Sequence, residues 1–230
     1  MTGEDIILAW RNLASTDTRR RQAAWHVIAA LTLERAVLMA WDRSAVDDVA
    51  QTILGRLDRA VRRDPFDWPA PDDANGAARV VGYLDLCLER EFISVFRARK
   101  RRAESELPDQ LSATSAADDL GPMRDRAEAL LRSTEAAIRQ LLSPALCRTF
   151  DELVSLRDGD TSIDAILGVG EMDEGYVRHR NSLYKRHERA RKAIHDGVTD
   201  AIESGSVAAD EVERVRVVIG SLARRKEGDS

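Results

Sequence analysis

Cysteine, proline and aromatic residues are all scarce in this chain, and each shortage excludes something. The two cysteines, Cys87 and Cys147, lie far apart in apolar helical contexts. A disulfide-stapled framework is excluded, and both read as buried thiols in a reducing compartment. Proline occurs six times, with three of the six between Asp64 and Gly76, so most of the chain is free to run in long helices. Aromatics make up 5% of the residues, few runs alternate like strands, and Ala, Leu, Arg, Asp and Val abound. That balance predicts an all-α protein. No apolar run approaches the roughly 20 residues that span a bilayer. The opening Met1-Thr2-Gly3-Glu4-Asp5 lacks the basic and apolar regions of a secretory signal. A cytoplasmic protein with no membrane partner is expected. Gly-rich phosphate loops, nucleophile motifs and Cys-x-x-Cys pairs are missing too, so the chain reads as a non-enzyme with no cofactor.

What is present is charge. A third of the residues are charged, with a net charge of −5. The whole molecule is therefore no basic coat for nucleic acid, and any DNA affinity must come from local patches. The strongest patch lies between Asp173 and Ile194, where Arg178, Arg180, Lys185, Arg186, Arg189, Arg191 and Lys192 face only Glu174 and Glu188. Before it runs Thr161-Ser162-Ile163-Asp164-Ala165-Ile166-Leu167-Gly168-Val169-Gly170-Glu171-Met172. A short helix, a tight turn and a long basic helix form the pattern of a helix-turn-helix, whose second helix enters the major groove. In this reading Gly168 and Gly170 fall within the first helix. His179, His187 and His195 share the basic helix, but their spacing does not converge on a metal, so they read as polar surface or phosphate contacts.

Upstream, Ile6, Ile7, Trp10 and Leu13 predict a short amphipathic helix, and a second is expected from Thr18 to Trp41. A third begins at Ser44, read as an N-cap with Asp47 three residues on. Its apolar positions Val46, Val49, Ala50, Ile53, Leu54, Leu57 and Val61 step by threes and fours, which leaves Asp47, Asp48, Gln51 and Thr52 on a polar face. Residues 64–76 predict a loop. A fourth helix carries the stripe Val80, Tyr83, Leu84, Cys87, Leu88, Phe92, Val95 and Phe96. It ends in Arg97-Ala98-Arg99-Lys100-Arg101-Arg102, more cations than a helix terminus needs. Residues 103–122 lose periodicity and carry Glu104, Glu106, Asp109, Asp118 and Asp119, the composition of an acidic linker. Helical periodicity resumes near Met123, through Leu130, Leu131, Ile138, Leu141 and Leu142. Ser143-Pro144 then starts another helix with Leu146, Phe150, Leu153 and Val154 on one face. Asp158-Gly159-Asp160 predicts a turn, and Thr161 or Ser162 caps the helix that follows. Past Ile194 a tail is expected, with one helix between Val207 and Arg225.

Three stretches, in order, resemble bacterial RNA polymerase sigma factors of the sigma-70 family, specifically the two-domain extracytoplasmic-function type. Residues 44–57 resemble the polymerase-docking helix of region 2. Residues 82–102 resemble its promoter-melting helix. Leu142–Phe150 together with the helix-turn-helix through Lys192 resembles region 4. The resemblance implies an all-α protein of two small helical domains: residues 1–102 like region 2, a linker at 103–122, a helix-turn-helix domain at 123–200, and an extension at 201–230. It implies binding to core RNA polymerase through Asp47, Asp48, Gln51 and Thr52. Promoter DNA near −10 would meet Arg90, Arg97, Arg99, Lys100, Arg101 and Arg102. DNA at −35 would meet Glu174, Tyr176, Arg178, His179, Arg180, Ser182, Lys185, Arg186 and Arg189. No catalytic or metal-binding residue is implied. The chain departs from the family in having Leu88-Glu89-Arg90-Glu91 within the melting helix, where Ala-Arg-Asn-Leu is common, and in extending beyond Gly197. Two other readings fit the same residues: a helix-turn-helix regulator that acts without polymerase, and a sigma-like protein sequestered by an anti-sigma-type partner.

Overall fold

The computed structural model describes residues 1–40, 42–63, 75–105, 121–168 and 175–223, with the backbone alone for 100, 102–105 and 223. Among them the protein is all-α. The helices are α1 (Gly3–Asn12), α2 (Thr18–Met39), α3 (Val46–Arg63), α4 (Gly76–Ser105), α5 (Gly121–Leu141), α6 (Pro144–Asp158), α7 (Ile163–Leu167), α8 (Tyr176–Glu203) and α9 (Val212–Ala223). The chain divides into two compact units. One is Met1–Val37 with Ser44–Glu128; the other is Leu38–Arg43 with Ala129–Ser230. The divisions fall near the end of α2 and within α5.

In the first unit α1 and α3 pack against α4. The buried side of α3 is Val46, Val49, Ala50, Ile53, Leu57 and Val61. On α4 the buried side chains are Val80, Leu84, Leu88 and Phe92, a step of four that keeps one stripe inward. Each such Leu, Ile or Phe contributes about 1.5–3 kcal/mol by leaving water. Tyr83 and Phe96, expected in that stripe, remain 47% and 39% exposed. Tyr83 meets Trp10 edge-on, with centroids 5.8 Å apart. Ion pairs fix the rotation of the helices. The Arg35 guanidinium forks onto Asp85, Nε to Oδ1 at 2.8 Å and Nη2 to Oδ2 at 2.5 Å. Arg56 pairs with Glu91 at 2.6 Å. Glu91, one of the carboxylates that departs from the family pattern, thus serves to join α3 to α4.

In the second unit α6, α8 and α9 pack on one another and α7 packs on α8. Leu131, Ile138, Phe150 and Val215 are fully buried. Ser143 caps α6, its hydroxyl accepting from the Leu146 N–H at 3.4 Å, and Gly159 ends it at φ 80°. A left-handed residue there suits glycine, which has no Cβ to clash. Inside, Arg157 donates to Glu135 at 2.5 Å and to Asp158 at 2.8 Å, with side-chain exposures of 3%, 6% and 19% for the three residues. Arg43 joins Asp158 at 3.3 Å.

Several expectations need correction. Ser44 lies in a 3-10 turn, Arg43–Ala45, and its hydroxyl accepts from Arg99 at 2.8 Å instead of capping α3. Gly168 terminates α7 at φ 65° and so lies past the helix, not in it. Helix α8 runs on to Glu203, well past Ile194. Cys87 and Cys147 are free thiols, as expected, but half-buried. Helix α4 continues to Ser105 and α5 starts at Gly121. Residues 106–120, most of the expected linker, lie outside the described residues, as do 64–74 of the expected loop and Gly170.

Candidate nucleic-acid interface

Helix α7 is short because both its ends are fixed. Ser162 accepts from the Ala165 N–H at 3.1 Å, and the Gly168 N–H bonds back to the Asp164 carbonyl at 2.9 Å. Residues 169–174, including the candidate Glu174, lie outside the described residues. Description resumes at Gly175, held at φ 85°, from which α8 departs. The Tyr176 hydroxyl donates to Asp164 Oδ1 at 2.5 Å, tying the start of α8 to α7.

The buried stripe of α8 is Tyr176, Leu183, His187, Ala190, Ile194 and Val198. At about 100° per residue, the opposite face carries Val177, Arg178, Asn181, Ser182, Lys185 and Arg189, all exposed. Val177, Arg178, Asn181, Ser182 and Lys185, with Gly175, line an open depression of about 620 Å³. Among the described residues no acidic side chain lines it. Farther along, Lys192 pairs with Asp196 at 2.8 Å, while Arg178, Lys185 and Arg189 stand exposed in the leading half of the helix.

The candidate residues on α8 therefore differ in availability. Arg178, His179, Ser182, Lys185 and Arg189 are exposed. Tyr176 is only 7% exposed and belongs to the fold. Arg180 lies over the Tyr184 ring at 5.5 Å and donates to its hydroxyl at 3.1 and 3.2 Å. Arg186 donates to Glu152 Oε2 of α6 at 2.5 Å. Val177 and Asn181 were missed. Their signal was available in the sequence, since they stand one helical turn apart and opposite the apolar stripe.

His187, read as polar surface or a phosphate contact, is 1% exposed, and its Nε2 lies 3.1 Å from the same Glu152 oxygen. Burial pushes its pKa below the ordinary 6.5; the Glu152 hydrogen bond opposes this, and Arg186 and Arg191 add to the lowering. The unfolded chain thus binds this proton more readily than the folded one. The resulting stability is complete above about pH 6.5 and is lost as pH falls toward the lowered folded value. The denaturation midpoint of the second unit should decline as pH falls below about 6.5, and His187→Gln should flatten that part of the profile. An unchanged profile in the variant would assign the dependence to other groups.

On α4, Arg90, Arg97 and Arg101 are exposed, and Arg99 is half-buried on Ser44. The side chains of Lys100 and Arg102 lie outside the described set. On α3, Asp48 is exposed and Gln51 and Thr52 are half-exposed. Asp47 is ion-paired with Arg124 of α5. The Arg124 guanidinium also donates from Nε to Glu128 Oε1 at 3.0 Å, one turn along the same helix. Among the described residues no three His, Cys, Asp or Glu side chains converge to hold a metal ion, and no helix is long and apolar enough to cross a membrane. Comparison with known proteins adds no family: no family model matches the chain, and no curated protein or solved structure matches it.

Proposed function

We propose that this chain is a sigma factor, a subunit that binds core RNA polymerase and directs it to promoters. The observation that carries the reading is the outer face of α8. Three exposed cations, Arg178, Lys185 and Arg189, lie opposite the buried stripe of the helix, whose start is clasped to the short helix before it. Cations so placed neutralise phosphates, while Arg178, His179 and Ser182 near the start of the helix are positioned to meet base edges at −35. Exposed Arg90, Arg97 and Arg101 along α4 would meet promoter DNA near −10, and the polar side of α3 would meet polymerase.

Run-off transcription tests this reading. The purified chain is added to core RNA polymerase on a library of bacterial upstream fragments, and discrete transcripts that need both components are expected. Capture of polymerase without transcripts supports the sequestered sigma-like reading instead. Sequence-specific DNA binding without polymerase capture supports the stand-alone regulator.

The docking face gives a separate prediction. Asp48 is exposed and Gln51 half-exposed on a helix whose other side is core. Asp48→Arg combined with Gln51→Ala should leave helicity and melting unchanged. It should weaken capture of core polymerase by about tenfold or more, the scale of a central interface contact. Undiminished pull-down would remove α3 from the interface.

A further inference from the structure

Val177 is 68% exposed, more than any other large apolar side chain described. A lone exposed valine is ordinary. This one stands one turn before Asn181, and both line the depression beside Arg178, Ser182 and Lys185. Residues four apart on a helix hold their Cβ atoms about 5–6 Å from each other, so the two side chains present a methyl surface and a carboxamide together. A thymine–adenine pair offers the matching groups in the major groove. Thymine projects its C5 methyl, and adenine pairs its N7 acceptor and N6 donor with the fork of an asparagine. Guanine would call for an arginine or lysine fork and cytosine for a carboxylate acceptor; neither Val177 nor Asn181 is one of these. The surrounding cations favour a polyanion, and a single valine is too little apolar area to anchor the helix in a lipid surface.

We propose that Val177 and Asn181 together read a thymine–adenine pair of duplex DNA, Val177 against the thymine methyl and Asn181 on adenine N6 and N7. This rests on the DNA-binding reading of α8, and the experiment separates the two. The full-length chain selects sites from a pool of random duplex DNA at low salt. In the recovered duplex each thymine is then replaced in turn by uracil, which lacks only the C5 methyl, and each adenine by 7-deazaadenine, which lacks N7. At one base pair both replacements should weaken binding by about fivefold or more. Val177→Ala should bind the thymine and uracil duplexes equally while keeping its salt dependence. Asn181→Ala should lose the effect of 7-deazaadenine at that same pair. Both positions are exposed, so neither variant should disturb melting. Salt-dependent duplex binding with no thymine–uracil difference, or a difference that survives Val177→Ala, overturns this inference and leaves the DNA reading standing. No duplex binding overturns both.

Discussion

Reversing the charge of Arg178, Lys185 and Arg189 together should lower duplex affinity on the order of a thousandfold at physiological salt. Each phosphate contact releases about 0.9 of a counterion, so at roughly 0.15 M salt one lost contact weakens binding about fivefold, and three weaken it on the order of a hundredfold. Reversal adds repulsion. The dependence of log affinity on log salt should also become shallower by roughly three units. All three side chains are exposed on the face away from the core, so the variant should melt like the parent. Arg186 is left out deliberately, because Glu152 already holds its guanidinium at 2.5 Å. Fluorescence anisotropy across a salt series reads both quantities. Unchanged affinity would make the outer face of α8 a solvated surface.

The largest loss of stability should follow Glu135→Ala. Its partner Arg157 is 3% exposed, keeps its charge at any ordinary pH, and already has one buried nitrogen, Nη1, without a hydrogen-bond partner among the described residues. Removing Glu135 leaves Asp158 as the counter-charge, itself shared with Arg43. Stranding a buried guanidinium in this way costs about 3–5 kcal/mol. Replacing both members, Glu135→Met with Arg157→Leu, should recover most of that loss, because the desolvation penalty goes with the charges. Chemical denaturation of the full-length chain followed by circular dichroism measures both. A double variant no better than the single would show that the pair is net stabilising and not merely mutually compensating.

Helix positions were legible because burial on one side imposes a period, and α3 shows that stripe at nearly every step. Features set by partners distant in sequence were not. Ser44 has the chemistry of an N-cap, yet Arg99, far along the chain, takes its hydroxyl. Tyr176 reads as a groove residue until the Asp164 carboxylate is found at its hydroxyl. His187 looks polar by type, but its register between Leu183 and Ala190 placed it in the core. Gly168 carried its own signal, since glycine after a short apolar run commonly ends a helix in the left-handed conformation. In the candidate interface, residue type identified the cations, but which of them were already bound within the fold depended on α6 and on Tyr184.

Helix α8 is 28 residues long, roughly 42 Å at 1.5 Å per residue. Its leading half carries the basic face, and farther along it Ile194 and Val198 are buried in a unit where α9 packs against both α6 and α8. Its leading half is held too, by Asp164 at Tyr176 and by Glu152 at Arg186 and His187, so the helix moves as one body with the core beneath it. A tilt of about 5° about Ile194 would move Arg178, roughly 24 Å away along the helix, by about 2 Å, enough to lift a side chain from a base edge. Substitutions in Val215, Val218 or Ile219 of α9 can thus alter what Arg178 reaches without touching it, and aim becomes a property of the core.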